Sequence, residues 1–210
     1  LTGIPDKNPT GDQKYPYFWS MAETSYCILG VDPGTNFLGY SLLHVKGKAI
    51  EVGETGVLTL SHLEDPSEKL RRIFEKIKSL IKQHDPVHLA IEAPFFGKNI
   101  QSMLKLGRAQ GVTIAAALSM GISFTEYAPK RVKQAITGNG SASKGQVAAM
   151  LQQLTQSAIV DTLTEDASDA LAVALCHHYQ MINRVGTSKS GGSGWASFIK
   201  QNPARLLSKK

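Results

Sequence analysis

The feature that most constrains this chain is the short, uninterrupted apolar run Tyr26–Val31, which stops at Asp32-Pro33-Gly34. A strand with no polar alternation is buried on both faces, so it belongs in the centre of a sheet covered by other layers. The turn that follows leaves a carboxylate at the strand's end. The run Val87–Ile91 repeats the pattern and ends in Glu92. Asp32 and Glu92 thus occupy positions where a solvated surface charge would be unusual.

The intervening sequence supplies the other layers. Phe37–Val45 and Ile50–Leu60 read as two more strands joined near Gly47, forming an antiparallel meander. Asp65-Pro66-Ser67-Glu68 has the form of a helix start, with Asp as cap, Pro in the first helical position and Glu where a capping box places it. Leu70, Ile73, Phe74, Ile77 and Leu80 then recur at helical spacing. Further on, Asn99 to about Ser119 is helical, Ile122–Tyr127 is a strand, and Pro129 opens a short helix. Ser143 begins another helix to about Leu154, and the last runs from Glu165 to about Tyr179 with Thr164 as cap. The expected fold class is α/β, a mixed sheet with helices packed against it in a single domain over residues 25–183. Residues 1–24 read as a flexible extension and residues 184–210 as a flexible, basic Gly/Ser-rich tail.

Two further acids join Asp32 and Glu92. Asp166 and Asp169 are spaced i, i+3 and share a face at the start of the last helix, which continues through Ala170 and Val173. Carboxylates buried together need a positive partner. A hard divalent cation with oxygen ligands fills that need, and two such ions are able to carry out phosphoryl transfer. Each acid also has a plainer reading, as a turn former after a strand or a dipole partner in a helix's first turn. Spacing alone does not bring all four together.

Charge points the same way. The formal net charge is +6, but residues 184–210 carry six Lys/Arg and no acid, whereas residues 21–183 hold fifteen of each. The folded body shows local excess: between Lys98 and Lys144 lie seven basic residues against the single acid Glu126. Such a segment suits a polyanionic partner. No apolar stretch is long enough for a membrane span; Gly111–Phe124 comes nearest and is broken by Gly121. Cys27 and Cys176 stand far apart in apolar runs, as expected of buried thiols in a cytoplasmic protein. His177 and His178 lie two to three turns beyond Asp166, too far to ligate with it.

The segments around these acids resemble, in order and spacing over roughly residues 26–178, those of bacterial RuvC-type Holliday junction resolvases. They are ILGVDPGTNFLGYSLL, AIEAPFFGKNIQSMLKLGRAQGV, FTEYAPKRVKQAITGNGSASKGQV and EDASDALAVALCHH. The resemblance implies an RNase H-like fold with a five-stranded mixed sheet. It implies that Asp32, Glu92, Asp166 and Asp169 are catalytic and bind two Mg²⁺ ions per active site, with Mn²⁺ able to substitute. It also implies that Lys98, Lys133 and Lys144 contact DNA and that Phe95 probes the junction, although Phe96 competes for that role. The implied activity is paired symmetric nicking of opposing strands of a four-way junction by a homodimer, leaving 5′-phosphate and 3′-hydroxyl ends. The junction would be presented by a branch-migration complex of the RuvA and RuvB type. Leu104, Leu106, Val112 and Ile114 are candidates for a dimer-forming helix face, or simply for core.

Three rivals are open to test. An ATP-binding domain of the actin or sugar-kinase type also places Asp-x-Gly-Thr after a strand, but needs a second domain and phosphate loop that are absent here. A non-catalytic junction-binding protein has no use for acids that repel phosphate. Another RNase H-like nuclease, acting on RNA–DNA hybrids or transposon ends, is not separated from a resolvase by physical reasoning alone.

Overall fold

The structure, a computed structural model, describes residues 25–94 and 99–188. Five strands, β1 (Ser25–Asp32), β2 (Phe37–Lys46), β3 (Ala49–Thr59), β4 (His88–Glu92) and β5 (Ser123–Tyr127), form one sheet in the order β3-β2-β1-β4-β5. β1, β2 and β3 are antiparallel neighbours; β4 and β5 join in parallel beyond β1. The mixed sheet expected from the apolar runs is therefore present, with β1 at its centre.

Helices cover both faces. α1 (Pro66–His84) and α2 (Ile100–Ser119) lie on one, while α3 (Pro129–Thr137), α4 (Lys144–Thr155) and α5 (Glu165–Ser188) build the other. Alternation along β1 divides the core: Cys27, Leu29 and Val31 face α1 and α2, whereas Ile28 packs with α5. α5 is buried all round from Ala170 to Cys176, because the sheet lies on one side and α3 and α4 on another.

Several local expectations are corrected. Asp65 caps α1 through Ser67 N–H at 2.9 Å, but the Glu68 carboxylate accepts from Arg71 and Arg72 instead of closing a capping box. Charged guanidinium donors one helical turn away outcompete a neutral backbone amide. The capping box forms at α4, between Ser143 and Gln146. α5 continues to Ser188, past its expected end near Tyr179, since Tyr179 and Met181 still pack on the core. A short 3-10 turn at Ala158–Thr162 had no signature in the sequence.

Two glycines bring α5 onto the sheet. A β-carbon at Gly30 would overlap the Ala170 carbonyl oxygen, and one at Gly39 would overlap the Asp166 carbonyl oxygen. Both overlaps are with helix backbone, which has no side-chain rotamer by which to yield. Gly30→Ala should destabilise the fold by about 1–3 kcal/mol or more in denaturant titration, as overpacking does. Gly39→Ala should cost a similar amount and displace the start of α5. Unchanged unfolding midpoints in both variants would show that the helix does not sit this close.

Candidate active site

Strand parity and register assemble the first half of the site. Asp32 lies two residues beyond Gly30, so its side chain shares the α5 face. Glu92 lies two residues beyond Ala90, which belongs to the same side of the core. Val31 pairs with Ile91, so the two acids follow on adjacent parallel strands at their C-terminal ends. The second half comes from α5. Asp32 pairs with Gly39, whose bare backbone abuts Asp166, so the first turn of the helix lands beside the strand ends. The Thr164 carbonyl accepts the first helical bond from Ser168 N–H at 2.9 Å, as an N-cap does.

All four acids are half-buried, and they act on one another. Burial, then the Asp169 and Asp166 charges, pushes Asp32 up to about 7. Burial, then Asp32 and Asp169, pushes Glu92 up to about 8, with the Lys144 and Lys133 ammonium groups opposing. Burial also raises Asp169, against the pull of Lys144. Lys144 Nζ stands 3.5 Å from Asp169 and is paired with Glu165 as well, so a lysine already offsets part of the negative charge. Among the described residues, no three His, Cys, Asp or Glu side chains converge as a ready-made ion cage. The donor chemistry nevertheless fits hard divalent cations: oxygen ligands only, in excess of the nearby positive charge, and reluctant to ionise without it.

Of the other expected contacts, Lys133 and Lys144 lie near enough to influence Glu92. Phe95, Phe96 and Lys98 fall outside the described residues. His177 and His178 are buried and occupied elsewhere: Tyr127 Oη lies 2.7 Å from His177 Nδ1, and Tyr26 Oη 2.8 Å from His178 Nδ1. His177 also stacks on His88, ring centroids 4.1 Å apart. Cys27 and Cys176 are free and buried, and burial raises both thiols. No helix among the described residues is long and apolar enough to cross a membrane. Reasoning from the sequence missed an open groove of about 650 Å³ that runs from Asp32, Glu92 and Asp166 between α1 and α2. Only its wall residues Lys105 and Arg108 carried a signal, within the basic segment.

The sheet order, with acids at the ends of two central parallel strands and at the start of a helix packed across them, defines an RNase H-like protein. A family model for the crossover junction endodeoxyribonuclease RuvC matches residues 28–177. The chain belongs to this family. It is 52% identical over 179 residues to the Cytophaga hutchinsonii crossover junction endodeoxyribonuclease RuvC, covering 85% of this chain and 87% of that one. The Bacteroides fragilis enzyme of the same name is 53% identical over 180 residues, covering 85% and 95%. Among solved structures, T. thermophilus RuvC in complex with Holliday junction substrate superposes with a TM-score of 0.71 at 31% identity, covering 77% of this chain and 97% of that one. The yeast mitochondrial Holliday junction resolvase Ydc2, at 15% identity and a TM-score of 0.56 over 77% and 84%, shares the fold.

The raised carboxyls set a pH dependence of stability. Asp32 and Glu92 hold protons in the folded chain that the unfolded chain releases, so stability falls as pH rises from the ordinary carboxylate range through about 7 to 8. Thermal melts without metal should drop between about pH 6 and about pH 8, recover on adding Mg²⁺ at the upper pH, and flatten in Asp32→Asn. A melting temperature indifferent to pH in that window would contradict the buried, mutually repelling site.

Proposed function

We propose that this chain is a structure-selective endonuclease that resolves four-way (Holliday) DNA junctions by paired, symmetric nicks on opposing strands. The observation that carries this is the gathering of Asp32, Glu92, Asp166 and Asp169 at one end of the sheet, with Lys133 and Lys144 beside them. Family membership supplies the substrate, and the T. thermophilus relative was solved with that junction.

In this reading the four acids would hold two Mg²⁺ ions, with Mn²⁺ able to replace them. Bound there, the ions supply Lewis acidity at the scissile phosphate and a more acidic water for attack. The protein's own part is electrostatic and positional. Asp32 and Glu92 give up their protons as they take up ligand duty, and the strand ends keep them fixed. Lys133 and Lys144 hold phosphate oxygens against the site, which would otherwise repel DNA. On the family resemblance, Phe95 would probe the junction and Lys98 would contact DNA.

Paired nicks require two sites, hence a homodimer, and α2 offers the face for it. Ile100, Leu104, Gly107, Gly111 and Leu118 recur at helical spacing and are all exposed. A β-carbon at Gly107 or Gly111 meets nothing within 4 Å, so neither glycine is needed for packing within one chain. Each costs its helix about 1 kcal/mol relative to Ala, which a closely approaching second helix would offset. Of the candidates Leu104, Leu106, Val112 and Ile114, which do not share one side of the helix, Val112 and Ile114 pack on the core, the second of the two readings, and Leu104 stays on the exposed face. The chain would act in the cytoplasm, with a branch-migration complex of the RuvA and RuvB type presenting the junction; family membership alone supports these points.

The test uses a synthetic mobile four-way junction, a linear duplex and an RNA–DNA hybrid, each with and without Mg²⁺. Symmetric, Mg²⁺-dependent nicks confined to the junction are expected; equal cutting of the hybrid would sink the assignment. Asp32→Asn should bind the junction yet nick it roughly a thousandfold or more slowly, as several kcal/mol of lost transition-state stabilisation imply. Leu104→Glu should sediment as a monomer and lose coordinated nicking of the two strands.

A further inference from the structure

The groove that leads away from the carboxylates has a chemistry the catalytic reading does not use. Its inner end is formed by Asp32, Glu92 and Asp166; its walls carry Lys69 from α1 and Lys105 and Arg108 from α2, with Phe37 from the start of β2. Glu64 is the fourth acid on its lining. Three other cations of α1 are neutralised: Arg71 pairs with Glu68 and Glu75, Arg72 with Glu68, and Lys76 with Glu54. Those in the groove have no acidic partner among the described residues. Lys69 donates to the Asn36 side-chain oxygen at 3.0 Å, and among the described residues Lys105 and Arg108, both exposed, have no acidic partner.

Three cations without acidic partners along an open, partly apolar groove suit a ligand with several separated negative charges better than a small molecule, which favours an enclosed apolar pocket. Phe37 is 46% exposed and lines the same groove, where a ring face is available for stacking on a base. Lys133 and Lys144 belong to α3 and α4, on the opposite face of the sheet from α1 and α2. The acids therefore lie between two basic banks, at the one end of the sheet where a strand is able to pass from one face to the other.

We propose that the groove is a track for a single DNA strand. Lys69, Lys105 and Arg108 take phosphates of the strand continuing from the scissile position, and Phe37 stacks on one of its bases. This rests on the endonuclease reading and extends it to the α1 and α2 side of the site.

The test measures four-way junction binding by the full chain, in chelator so that nothing is cut, across a range of salt. Each lost contact to a single-stranded phosphate lowers the slope of log affinity against log salt by about 0.7. Lys105→Ala with Arg108→Ala should therefore reduce the slope by about 1.4 and weaken binding roughly ten- to a hundredfold at low salt. Arg71→Ala with Arg72→Ala, paired on the same side of the molecule, should change neither. Phe37→Ala should weaken binding about tenfold, with Phe37→Tyr restoring it, because the ring rather than its identity carries stacking. A double variant with the wild-type melting temperature and wild-type salt slope overturns the track while leaving the nuclease reading intact. A wild-type chain that neither binds nor nicks the junction overturns both.

Discussion

Helix α5 rests on bare backbone at Gly30 and Gly39, and the site depends on that approach. An ordinary side chain at either glycine would hold the helix away from the sheet, and Asp166 and Asp169 would stand clear of Asp32 and Glu92. The contact also explains why α5 is apolar on every side from Ala170 to Cys176: it is a core helix there, and its first turn reaches the end of the sheet. Stability and chemistry are thus coupled at one packing surface.

That coupling has an electrostatic cost, visible in the upward displacement of Asp32 to about 7 and Glu92 to about 8. Acids that resist ionisation are poor stabilisers of a fold, but they are suited to receiving cations, because binding relieves both burial and mutual repulsion. Lys144, held by Asp169 and Glu165, provides partial relief in the meantime. The surrounding cations then make an acidic centre approachable by a polyanion.

Much of the arrangement was legible in the sequence, for identifiable reasons. Largely apolar runs ending in Asp32 and Glu92 have few solutions other than central strands, and β1 and β4 are adjacent and parallel. The i, i+3 spacing of Asp166 and Asp169 placed them on one helical face. Three things were not legible. That the two pairs meet is set by Gly30 and Gly39, whose significance lies in what packs on them rather than in any local pattern. Which side of α2 is left exposed was open, because Leu104, Leu106, Val112 and Ile114 read equally well as an outer face or as core until Val112 and Ile114 are seen to pack inside. The groove joins α1, α2 and β2, and no sequence spacing links Lys69 to Arg108. Phe95 and Lys98 rest on the family resemblance and lie outside the described residues.

The most direct measurement of the central claim is proton release on metal binding, by titrating Mg²⁺ into the protein near pH 7 in buffers of different ionisation enthalpy. With Asp32 near 7 and Glu92 near 8, ligation should expel about one proton or more per chain. The release should shrink in Asp32→Asn and in Glu92→Gln. Binding without proton release, or a release that both substitutions leave intact, would contradict a metal site built on these buried carboxylates.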